Sequence, residues 1–128
     1  MPAGYTHKQL TDVEDSAPKF GLQGVQARFA TADLGAADTG FSHFRLDAGT
    51  RQPFGHKHDR AEEVYVVLGG SGRVKLDDDI VDLDERDAVR VAPGVTRCFE
   101  AGSQGLEYLA FGARHEGDGE LVPGWWAD

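Results

Sequence analysis

Cysteine is nearly absent from this chain: Cys98 stands alone among 128 residues. One cysteine excludes an internal disulfide, and secretion finds no support in it. Long apolar runs are missing as well. No stretch of about 18 apolar residues is there to span a bilayer. The opening segment, MPAGYTHKQL, carries no apolar signal region. Positive charge is also scarce. Thirteen Lys and Arg stand against 22 Asp and Glu, a net charge of -9. Such a surface repels nucleic acid and anionic membranes. The expectation is a soluble, cytoplasmic protein without nucleic-acid or membrane partners. Repeats of a whole unit and low-complexity segments are lacking too.

What is present favours β structure. Seventeen glycines and five prolines imply many turns. The hydrophobic share, 40%, fills one core but not two, and 27% charged residues argue against a disordered chain. The length suits a single domain.

Residues 1–19 read as an irregular arm, broken by Asp12, Glu14, Asp15 and Pro18. Short strand-like runs then alternate with turns. Strands are expected at 24–31, 39–46, 63–68, 73–76, 80–83, 87–92, 97–100 and 106–111. The run Val64-Tyr65-Val66-Val67-Leu68 is the clearest, and its continuity implies cover on both faces. Gly69-Gly70-Ser71-Gly72 reads as a tight corner, Asp77-Asp78-Asp79 as a hairpin turn, and Pro93-Gly94 as another turn. Strands at this spacing point to a sandwich or small barrel. The glycine run lacks the Lys-Ser/Thr ending of a phosphate loop, and the three aspartates lack a calcium-loop pattern.

One cluster carries chemistry. Residues two apart on an extended segment share a face, so His56 and His58 project together. Glu63 follows five residues after His58, beyond a short polar link. If Glu63 faces the interior, Tyr65 and Val67 face it too. Two imidazoles and a carboxylate then meet around one ion, at roughly 2.0–2.2 Å from each donor atom. The same donor set, with open positions, serves non-haem iron oxygenases. His43 alternates onto one face of its strand and is a candidate to reach the same interior. His7 and His115 lie in irregular regions and carry no signal. Cys98 is one position from Arg97 and should face the opposite side, inert.

The stretch from Gly49 through His56, His58 and Glu63 to Gly70 resembles the first motif of the cupin superfamily. That motif is a glycine, a His-x-His pair, a glutamate and a glycine after a hydrophobic strand. The stretch Ala88–Ala101, with Pro93-Gly94, resembles a departed form of the second motif. Together they cover about half the chain. The resemblance implies an all-β fold, a double-stranded β-helix or jelly-roll barrel of antiparallel sheets. It places the barrel at 20–113, between an arm (1–19) packed on or swapped onto it and a tail (114–128). It also implies that His56, His58 and Glu63 are metal ligands, with Fe, Mn, Zn or Ni as the candidate ions. Glu63 fits better than Glu62 because six residues separate it from Gly70.

The second motif departs at Arg97, where the family usually has a fourth ligand, a histidine. A guanidinium offers no lone pair. Pointed at a divalent ion from ~6 Å, at an effective dielectric of ~20, it would cost ~5–6 kcal/mol. Three arrangements answer this. Arg97 swings away, or it binds an anionic substrate beside the metal, or no metal binds and Arg97 pairs with Glu63.

The resulting expectation is a small protein that holds a divalent metal, with Arg97, Tyr65 and His43 as candidate substrate-binding residues and no catalytic acid or base assigned. One reading is an oxygenase-type enzyme acting on a small, anionic molecule. The other is a metal-free module that binds or senses a small molecule without chemistry. A homodimer is expected, with Trp125 and Trp126 in packing or dimer contacts.

Overall fold

In a computed structural model of the chain, residues 4–127 are described. Eight strands follow one another: β1 (Val25–Phe29), β2 (Thr39–Leu46), β3 (Phe54–His58), β4 (Glu63–Leu76), β5 (Asp79–Asp84), β6 (Ala88–Val91), β7 (Arg97–Ala113) and β8 (Gly119–Pro123). A single α-helical turn, α1 (Thr31–Leu34), links β1 to β2. It closes on Gly35, whose φ of 67° suits a residue without a Cβ. The sequence reading carried the first strand through to Thr31; the strand ends at Phe29, and Thr31 already belongs to this turn.

All pairings are antiparallel, and the sheet curls on itself. Its order runs β1-β2-β7-β3-β8, and β4 pairs with β5, β6 and β7. The two long strands, β4 and β7, hold the fold together. The sequence reading split each of them in two at its glycines; in the structure both run through. Gly70, at φ 77°, lies where a Cβ would come within 2.0 Å of the Gly105 carbonyl oxygen. A Cβ on Gly72 would come within 2.2 Å of the Glu100 oxygen. The glycines therefore let the two strands cross at close range. The register shifts between Val67 and Gly69 and between Gly70 and Gly72, bending the pair without ending it.

The core lies inside the curl. Tyr65, Val67, Val74, Phe99, Leu106 and Tyr108 are buried there. Phe99 stacks on Tyr108 at 4.3 Å between centroids, and Tyr65 tilts against Phe99 at 4.8 Å. Such aromatic pairs add about 0.5–1.5 kcal/mol each beyond their burial.

Both ends of the chain dock on this framework. In the arm, Asp15 Oδ1 accepts the backbone N–H groups of Ala17 (3.0 Å) and Ala27 (2.9 Å), and Arg28 donates to the Val13 carbonyl. Val13 and Ala17 are buried. At the other end, β8 pairs with β3 from Phe54–Pro123 to His58–Gly119. Trp126 is buried beneath the guanidinium groups of Arg51 (4.2 Å) and Arg73 (5.2 Å).

Candidate metal centre

His56 and His58 project from β3, and Glu63 and Tyr65 from the start of β4. Period-two alternation turns all four inward. Their polar ends meet at one atom, Glu63 Oε1. His56 Nε2 lies 3.3 Å from it, His58 Nε2 3.1 Å, and the Tyr65 hydroxyl donates to it at 2.5 Å. The His56 and His58 rings stand edge to face, 5.3 Å apart. One ligand atom from each of His56, His58 and Glu63 lies within 4.8 Å of the others.

These separations fit a metal. Donor atoms held at about 2.1 Å around one ion stand roughly 3.0–3.4 Å from each other in octahedral or tetrahedral geometry. His58 supplies a second sign. Both of its ring nitrogens are buried without a formed hydrogen bond, with Nε2 3.1 Å from Glu63 Oε1 and Nδ1 3.3 Å from Asp118 Oδ2. A buried polar atom left unmade is costly, and a lone pair aimed at an ion removes the deficit.

Electrostatics hold the site in a definite protonation state. Burial works to raise the pKa of Glu63, but the contacts from His56, His58 and Tyr65 outweigh it and hold the carboxyl well below the usual carboxylate range. Burial lowers His56 below its ordinary value of 6.5, against the pull of Glu63. The centre is thus a carboxylate facing neutral imidazole, the state that metal binding requires. Burial also raises the Tyr65 hydroxyl well above 10, so it stays a donor.

Arg97 stands opposite His56 in the β3–β7 register. It is fully buried, with 0% exposure. Its Nη1 donates to Glu63 Oε1 at 3.1 Å and its Nη2 to the Ala92 carbonyl at 2.8 Å. Arg97 is therefore in direct contact with Glu63 in this structure. His43 is elsewhere: its neighbours Ser42 and Phe44 turn toward the cavity described below, while His43 Nε2 meets Glu107 Oε2 at 2.7 Å. Cys98 is buried with its thiol on the Gln52 carbonyl (3.4 Å), and burial pushes the thiol up to about 11.

Sequence reasoning missed Asp118. This buried carboxylate sits 3.3 Å from His58 Nδ1. Its oxygens also accept the backbone N–H groups of Asp59, Arg60 and Ala61, the link between His58 and Glu63. Burial works to raise its pKa, but those backbone bonds prevail and lower it. The only local signal is its place between Gly117 and Gly119, a turn signature that names no distant partner.

The centre opens into a cavity of about 440 Å³. Val25, Phe29, Phe44, Pro53, Phe54 and Leu121 form much of its wall, and His56, His58 and Glu63 part of its floor. Arg97 is not on the wall.

The comparisons agree with this fold. The family model described as "Cupin domain" matches residues 42–111. No curated protein matches the chain significantly. Among solved structures, a cupin protein from Bacteroides fragilis superposes with a TM-score of 0.72 at 22% identity, covering 91% of this chain and 89% of its own. The polyketide cyclase RemF from Streptomyces resistomycificus gives 0.74 at 20%, covering 96% and 87%. A deletion mutant of the oxalate decarboxylase OxdC from Bacillus subtilis gives 0.73 at 21%, covering 89% of this chain and 30% of that one. At such identities the likeness is one of fold. The family match spans more than half of the chain and takes in the His-x-His pair, the glutamate and both crossing strands, so the chain belongs to the cupin family.

Proposed function

We propose that this protein holds one divalent transition metal through His56, His58 and Glu63 and acts on a small molecule seated in the adjoining cavity. The observation that carries the reading is the convergence of three ligand atoms within 4.8 Å on the cavity floor. A metal in such a site supplies Lewis acidity and open positions for substrate. Two imidazoles and one carboxylate match the donor set of iron oxygenases, which makes an oxygenase-type reaction the leading activity.

The chain's own residues prepare the site. Tyr65 and Arg97 donate to Glu63, fixing its charge and orientation. Asp118 holds the link on which His58 and Glu63 are hung. A second reading, a metal-free binding module, draws on the Arg97–Glu63 pair, which already neutralises the carboxylate.

Calorimetric titration with Zn²⁺ and Mn²⁺ separates the two. The metal reading expects saturable binding near one equivalent in the native chain and none in His58→Ala, whose circular dichroism stays native. Equal binding by both proteins would sink it.

A further inference from the structure

We propose that the cavity takes a neutral aromatic molecule, not the anion that a buried arginine beside the centre first suggests. The proposal rests on the functional reading above for its chemistry, but its binding argument stands on the cavity wall alone.

Three observations carry it. First, the wall is built from apolar and aromatic side chains, with Phe29 set edge to face against Phe44 at 5.9 Å. Rings in that arrangement offer a flat ligand both an edge and a face. Second, the mouth is left uncovered. Phe20, Phe29 and Leu121 all line it while being 65%, 48% and 58% exposed. Large apolar groups gathered at one opening are the mark of a surface that a ligand covers. Third, the wall has no cation. Among the described residues lining it there is no Lys or Arg, while Glu63 and Glu120 are both present. Arg97 is fully buried and does not line the wall; its Nη1 and Nη2 donate to Glu63 and Ala92, and its Nε is buried without a partner. The volume, about 440 Å³, is in the range that small-molecule sites occupy.

The test is a fluorescence titration with 2-naphthol and 2-naphthoate, matched in shape and different in charge. It is run on the protein as purified and after chelation, with metal content measured on the same samples. The expected result is 2-naphthol binding at least about tenfold tighter than 2-naphthoate after chelation, where the apolar wall alone selects the ligand. Phe29→Asp, a change at the half-exposed mouth, should weaken 2-naphthol by about tenfold or more. Ile80→Ser, an exposed apolar site on β5 outside the cavity, should leave it unchanged. Naphthoate binding as tightly as naphthol after chelation overturns the proposal, as does an unchanged affinity in Phe29→Asp or the absence of naphthol binding. Protein that holds no metal as purified and takes up none on reconstitution, yet still prefers naphthol, contradicts the metal reading and leaves the cavity proposal standing.

Discussion

Arg97 and Glu63 neutralise one another in the interior, so each depends on the other. Removing the guanidinium leaves a buried carboxylate with Tyr65 as its remaining firm donor. Arg97→Met should therefore destabilise the metal-free protein by about 3 kcal/mol in urea unfolding. The same change removes a positive charge beside the proposed ion, so Zn²⁺ affinity should rise by several powers of ten. Metal binding should in turn restore much of the lost stability. A variant that is less stable but binds metal no better would show that Arg97 does not oppose the ion. Asp118 makes a separate prediction. Asp118→Asn keeps an acceptor for the backbone but loses the charge facing His58. Metal affinity should drop about tenfold or more, as for other outer partners of ligating histidines. Calorimetry checks this, and unchanged affinity at native melting temperature would reduce Asp118 to a structural cap. These two residues also mark the limits of the sequence. His56, His58 and Glu63 are legible because they lie within eight positions and the two histidines share a period-two face. Asp118 is invisible because its partners are about 60 positions away in the chain. Arg97 is visible as an intruder, but its burial and its choice of Glu63 depend on the β3–β7 register.

At the scale of elements, the glycines of β4 and β7 decide the fold. Residue patterning finds the strand-forming runs, since Val64–Leu68 and Leu106–Phe111 are rich in apolar and aromatic residues. It reads the glycines between the runs as corners. The structure uses them for close crossing, a three-dimensional demand that a local pattern does not encode. Gly70→Ala tests this. Its methyl would sit 2.0 Å from a backbone oxygen at a positive φ, and backbone gives less readily than a side chain. The expected loss is about 3 kcal/mol or more. Gly94, with open space around it, is the control: Gly94→Ala should melt near the native temperature. Equal melting of the two variants would contradict the crossing argument. β8 is a further element that patterning hides. Its residues, GELVP, are few and only half apolar, and pairing with β3 is what makes them a strand.

At the scale of the molecule, the two ends of the chain shape the site. The segment that joins the arm to β1 delivers Phe20 and Leu22 to one lip of the cavity, and β8 delivers Leu121 to the other. The strand that bears His56 and His58 lies between β7 and β8, so the tail also braces the ligands. Among the described residues no helix is long and apolar enough to cross a membrane. The fold therefore gathers a carboxylate, two imidazoles and an apolar chamber into one place, and the metal is what would turn that chamber toward chemistry. Elemental analysis of protein purified without added metal, and again after reconstitution with Fe, Mn, Zn or Ni, tests this most directly. The account predicts close to one ion per chain in at least one of these states. Less than about a tenth of an equivalent in every one of them would contradict it.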